Sequence, residues 1–121
     1  DGYKPDGAVL EFTKGYGDKF ALETDPFMAA SGADILITDT WTSMGEEAEK
    51  EERKKIFKDY QINRQLLAAA NAGAMVQHCL PAYRGQEITE EVFEEHADEI
   101  FNEAENRLHA QKAVMVKLMK N

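Results

Sequence analysis

The chain has 121 residues, enough for one domain that buries about two-thirds of the surface its unfolded form exposes. Its net charge of −9 and isoelectric point near 4.8 exclude a surface built to neutralise nucleic-acid or anionic-membrane phosphates. The single cysteine, Cys79, excludes an internal disulfide, and no signal-like or membrane-spanning apolar run is present, so the chain reads as soluble and cytoplasmic.

No repeat, low-complexity tract or linker divides the sequence, so 1–121 reads as a single domain. A short helix is expected from Asp6 to about Lys14, followed by a turn at Gly15-Tyr16-Gly17-Asp18. Phe20-Ala21-Leu22 has the look of a strand. Asp25 then caps a helix with Pro26 at its first position and Gly32 at its end. Asp34 to Thr38 is the next strand, and its unbroken apolar character predicts burial on both faces, as in a parallel sheet. Glu46 to Phe57 is helical. Its acids precede its bases at a spacing of four (Glu46 with Lys50, Glu49 with Arg53, Glu51 with Lys55), the favourable order for ion pairs on an exposed, solvated face.

Asn63 caps a helix over Arg64 to Ala70, closed by Asn71 and Gly73, and Ala74 to His78 forms a strand. Thr89 caps a helix through Phe93, Ile100-Phe101 suggests a short last strand, and a final helix runs from about Asn106 to Lys120. Leu108, Ala113, Val114, Met115, Val116, Leu118 and Met119 make that helix apolar over more than half its circumference. One stripe would cover a sheet, so the excess implies either a second packing surface or a fully buried core helix. Strands alternating with helices place the fold in the α/β class.

Two polar segments follow apolar strands. Ile35-Leu36-Ile37 leads into Asp39-Thr40-Trp41-Thr42-Ser43-Met44-Gly45, and Ala74-Met75-Val76 leads into His78-Cys79-Leu80-Pro81. If the strands are parallel neighbours, both segments open on the rim where α/β sheets bind ligands. A carboxylate, a hydroxyl and a thiol would then share one crevice. Cys79 is not expected to be a nucleophile activated by His78, because neighbours on an extended strand point to opposite faces. His78, His96 and His109 have no metal-ligand spacing, so no metal is expected. No phosphate-cradling glycine loop and no cofactor motif is present.

These segments carry a family resemblance. Asp39-x-x-x-Ser43-Met44-Gly45, His78-Cys79-Leu80-Pro81 with Arg84-Gly85 and Glu87 behind it, and Glu105-Asn106-Arg107-Leu108-His109-Ala110-Gln111 resemble three successive signatures of ornithine carbamoyltransferase. The Ser-Met-Gly segment is closer to the ornithine enzymes than to the putrescine or aspartate members. The resemblance implies a three-layer α/β sandwich with a mostly parallel sheet, the Rossmann-like ornithine-binding domain of carbamoyltransferases, incomplete at its amino-terminal side. The upstream Ser-x-Arg-Thr loop, His-Pro-x-Gln segment and asparagine-bearing strand of that family have no counterpart here. The chain therefore resembles the carboxyl-terminal L-ornithine-binding portion of a longer enzyme.

By the same resemblance, the partners are L-ornithine and carbamoyl phosphate, and the parent enzyme, of arginine biosynthesis, makes L-citrulline and phosphate. Asp39, Ser43 and Met44 would bind ornithine, Asp39 because a carboxylate accepts charge-assisted hydrogen bonds from the α-ammonium. Cys79 and the Leu80 carbonyl would orient the δ-amine and touch carbamoyl phosphate. Arg107, read as standing at the start of the last helix, would contact carbamoyl phosphate with its guanidinium, aided by free N–H groups at that terminus. The parent would be a homotrimer and the isolated chain an inactive monomer or weak dimer. A stand-alone, non-catalytic amino-acid-binding module is the alternative that the same motifs allow.

Overall fold

The structure is a computed structural model that describes residues 2–42, 45 and 47–120. Its elements, in chain order, are α1 (Gly7–Thr13), α2 (Pro26–Ala30), β1 (Ile35–Thr38), α3 (Lys50–Phe57), α4 (Arg64–Ala69), β2 (Met75–His78), α5 (Glu90–Glu95) and α6 (Ala97–Met119). Single stretches of 3-10 helix lie at Lys14–Lys19, Glu47–Glu49 and Lys58–Tyr60. The strands pair in parallel with the register Ile35↔Met75 through Thr38↔His78. Helices and a small parallel sheet make this a partial α/β domain.

Local chemistry starts the helices where the sequence places the caps. Asp25 Oδ1 accepts from the amides of Phe27 (2.8 Å) and Met28 (3.4 Å). Asn63 Oδ1 accepts from Leu66 N–H (2.9 Å), and Thr89 Oγ1 from Val92 N–H (3.4 Å). Each such cap contributes about 1 kcal/mol by satisfying an amide that the helix leaves open. After α2 the chain reverses at Gly32, whose φ of 71° is a conformation glycine adopts without a Cβ clash. Asn71 Nδ2 donates to the Gly32 carbonyl (2.9 Å) and to Asp34 Oδ1 (2.8 Å), joining the end of α2 to the end of α4.

The core lies under one face of the sheet, where Leu36 and Val76 meet Ala30, Ile62, Leu66, Ile88, Val92, Phe93 and Ile100. Each large member stabilises the fold by about 1.5–3 kcal/mol relative to exposure. The other face is open: Ile35 is 46% and Ile37 67% exposed. Burial of β1 on both faces is therefore not met in this chain, because no helix of the described residues covers the Ile35–Ile37 side. The outer edge of β2 is closed by α6, where Glu99 Oε2 accepts the Val76 amide at 2.8 Å.

Three sequence expectations change. Phe20 is extended but has no strand partner, and Phe20 and Leu22 are 41% and 50% exposed; a strand is defined by its ladder, which among the described residues only β1 and β2 form. Ile100 and Phe101 are helical, with Ile100 N–H bonded to the His96 carbonyl (3.1 Å). A two-residue apolar run does not distinguish strand from helix, and Ile100, fully buried on α6, joins Val92 of α5 in the core. The last helix consequently begins at Ala97, not Asn106, and runs for 23 residues. Leu108, Val114, Met115, Val116, Leu118 and Met119 are all more than half exposed on it, which overturns the alternative of a fully buried core helix.

Candidate functional site

Sheet register builds the site. Thr38 lies opposite His78, so the next residues of both chains, Asp39 and Cys79, leave the same rim side by side. The Cys79 thiol donates to Asp39 Oδ1 at 3.2 Å, and the same oxygen accepts the Thr40 amide at 2.7 Å. Asp39 is exposed and Cys79 half-buried. The thiol is pushed up in pKa, first by burial and then by its bond to the Asp39 carboxylate and that group's charge, with a smaller push from Glu103 on α6. Cys79 is thus kept as a thiol, and a thiolate nucleophile is disfavoured.

That state has a chemical signature. At pH 8 the chain should react with iodoacetamide more slowly than a free cysteine does, since alkylation follows the thiolate fraction. Asp39→Asn removes a negative neighbour that holds the thiol pKa up, and should raise the alkylation rate. An unchanged rate would mean that the carboxylate does not act on the sulfur.

Beneath this pair lies a buried network that sequence reading did not foresee. The Leu80 amide donates to His78 Nδ1 at 2.9 Å, which makes Nδ1 the acceptor and leaves Nε2–H to donate to Glu87 Oε1 at 3.1 Å. Glu87 Oε1 also accepts the Tyr83 amide at 2.6 Å. His78 and Glu87 are both fully buried. The backbone of Glu87 is itself anchored, its carbonyl accepting the Ile62 amide at 2.8 Å. The network holds Leu80 at φ 56°, a left-handed conformation that costs a non-glycine residue about 1–3 kcal/mol and persists only where the surroundings impose it. The turn at Leu80 is what presents the backbone beyond Cys79 to the rim. Glu87 was visible in the sequence as part of a motif, but its side-chain partner nine residues earlier is set by the return of the chain through Arg84 and Ile88.

The same turn modifies the expected separation of His78 and Cys79. One ligand-type atom each from Asp39, His78 and Cys79 lies within 4.8 Å of the others. No His78–Cys79 dyad forms, because the ring nitrogens are taken by Leu80 and Glu87 and the thiol proton by Asp39. With these atoms engaged, the cluster is a hydrogen-bonded arrangement.

Of the other residues singled out from sequence, Ser43 and Met44 lie outside the described residues. Arg107 is exposed in the middle of α6. Its placement at a helix start is corrected: its backbone amide is spent inside the helix, and the argument from free terminal N–H groups falls. Arg84 pairs with Glu94 (2.5 Å) and lies 4.6 Å from the centre of the Phe93 ring, a packing role at the base of the same loop. In α3 the expected Glu49–Arg53 pair forms at 3.0 Å, while Glu51 pairs with Lys54 (2.9 Å) in place of Lys55. Glu46 is outside the described residues.

Residues 1–118 match the profile of the aspartate/ornithine carbamoyltransferase Asp/Orn binding domain. The chain belongs to this family. It is 54% identical over 119 residues to the ornithine carbamoyltransferase of Nitratiruptor sp., a match covering 95% of the chain and 38% of that protein. Against the ornithine carbamoyltransferase of Methanosarcina mazei the identity is 52% over 120 residues, 99% of the chain and 40% of that protein. The crystal structure of anabolic ornithine carbamoyltransferase from Campylobacter jejuni superposes with a TM-score of 0.90 at 46% identity, covering 98% of the chain and 40% of that structure. The chain thus spans about two-fifths of the length of these carbamoyltransferases. No helix among its described residues is long and apolar enough to cross a membrane.

Proposed function

We propose that this chain is the ornithine-binding portion of a cytoplasmic ornithine carbamoyltransferase of arginine biosynthesis. The observation that carries the reading is the meeting of Asp39 and Cys79 at 3.2 Å on neighbouring parallel strand ends, within a sequence about half identical to named ornithine carbamoyltransferases. In the parent reaction the uncharged δ-amine of ornithine attacks the carbonyl carbon of carbamoyl phosphate. A C–N bond forms, the C–O bond to phosphate breaks, and the amine proton leaves with the departing phosphate.

Asp39 would hold the α-ammonium with a charge-assisted bond, its exposed carboxylate having capacity beyond the thiol and the Thr40 amide. Ser43 would add a hydroxyl and Met44 a backbone group. Cys79, kept as a neutral thiol, and the Leu80 carbonyl would orient the δ-amine without adding a charge that favours its protonated form. Arg107 would serve carbamoyl phosphate, a role that rests on the family pattern. The rate gain of such an arrangement comes from proximity and from stabilising the tetrahedral oxyanion. Carbamoyl phosphate is gripped chiefly by the family's upstream motifs, and the parent trimer also rests on that part of the protein, so this chain by itself would bind and not turn over.

The test is a two-dimensional NMR titration of the isotopically labelled chain with L-ornithine, with L-aspartate and putrescine as controls. Saturable shifts centred on Asp39, Thr40, Cys79 and Leu80 with ornithine alone are expected. An equal response to putrescine or aspartate, or a folded chain indifferent to ornithine, would sink the reading.

A further inference from the structure

Arg53 stands in a run of charges, Lys50-Glu51-Glu52-Arg53-Lys54-Lys55, and by composition belongs to a solvated face. Its side chain is nonetheless only 18% exposed. Nε donates to Glu49 Oε2 at 3.0 Å and Nη1 donates to the carbonyl of Trp41 at 3.2 Å. The guanidinium carbon lies 5.2 Å from the centre of the Tyr3 ring, within the range of an attractive cation–π contact. A planar guanidinium can meet a carboxylate, a carbonyl and a ring face together, which a lysine ammonium on a flexible stem does not do.

The carbonyl it holds lies two residues beyond Asp39. That segment has a second internal tie, Thr40 Oγ1 donating to the Thr42 carbonyl at 3.1 Å. The Trp41 ring also rests 6.3 Å from that of Phe57, which in turn meets Tyr3 and Tyr60 edge-on at 5.0 and 6.1 Å. Among the described residues, Arg53 thus adds a polar link to the aromatic contact between α3 and the segment leaving β1.

We infer that Arg53 is a positioning residue for the amino-acid site: by holding the Trp41 carbonyl against α3 it sets the path of the chain out of Asp39, and so the place where that carboxylate meets its ligand. The inference rests on the proposed ornithine reading for the identity of the ligand only. Glu49 acts behind it by orienting the guanidinium.

Trp41 is the sole tryptophan, so its emission reports on this segment directly. Arg53→Lys keeps the charge and can keep the pair with Glu49, but loses the simultaneous bond to the Trp41 carbonyl. In the ligand-free chain this variant is expected to shift Trp41 emission to the red and to increase its quenching by acrylamide, with the far-ultraviolet circular dichroism unchanged. Its Kd for L-ornithine should rise roughly 10-fold, a loss of about 1.4 kcal/mol, as Asp39 is displaced from its ligand. Glu49→Gln, a milder change, should move both readouts the same way by less. Unchanged emission and quenching in Arg53→Lys would overturn the inference, as would an ornithine Kd equal to that of the parent chain. Altered emission in a chain whose wild-type form ignores ornithine would uphold the positioning role and defeat the ornithine reading, so the two failures are separable.

Discussion

Glu87→Ala is expected to cost about 2–6 kcal/mol of folding stability, the range for leaving two buried donors unpaired. The reason is in the partners. His78 Nε2–H and the Tyr83 amide both donate to Glu87 Oε1, at 3.1 and 2.6 Å, and His78 and Glu87 are fully buried. Truncation leaves two buried donors without their acceptor, each costing about 1–3 kcal/mol. Against a typical total of about 5–15 kcal/mol, that is a large share. A urea titration followed by circular dichroism should show the midpoint falling steeply. Glu87→Gln should be milder, because an amide oxygen can still accept both bonds, but not neutral, since its NH2 would sit at the Oε2 position, which has no partner. A Glu87→Ala midpoint within error of the parent chain would show that the network does not hold the loop.

The second large effect falls on function. In a full-length ornithine carbamoyltransferase carrying this segment, Asp39→Asn is expected to raise the KM for ornithine by roughly 30- to 150-fold, corresponding to about 2–3 kcal/mol for a hydrogen bond to a charged group. Thermal stability should hardly change, because Asp39 is exposed and outside the core. The measurement is steady-state kinetics at saturating carbamoyl phosphate, with the melting temperature as control. An unaltered KM would remove Asp39 from the ornithine site. A fall in kcat with KM intact would instead assign it to the reacting centre through Cys79.

Much of the scaffold was readable from single residues. Asp25, Asn63 and Thr89 cap helices because a short side-chain oxygen can reach an open amide two or three residues on, and that geometry is local. The two strands were readable from short apolar runs ending in polar segments. The adjacency of Asp39 and Cys79 followed once the strands were taken as parallel. Errors came where local pattern was ambiguous. Ile100-Phe101 is apolar in either a strand or a helix, and only packing against Val92 and Val76 selects the helix that also carries Arg107 away from a terminus.

The chain's order of caps, apolar runs and motif residues was thus determined by the sequence itself, because helix initiation, turn conformation and strand propensity depend on neighbours a few positions apart. The family could be read from its motifs for the same reason. What only the tertiary structure decided are the contacts between residues far apart in the chain or in different elements. The Cys79 thiol meets Asp39, the Val76 amide is closed by Glu99, Glu87 is buried under His78, and Arg53 leaves its charged face for the Trp41 carbonyl. Such contacts form because a buried amide, ring nitrogen or carboxylate must find a partner once water is excluded. Which partner it finds depends on the register and crossing of whole elements, which no short stretch of sequence encodes.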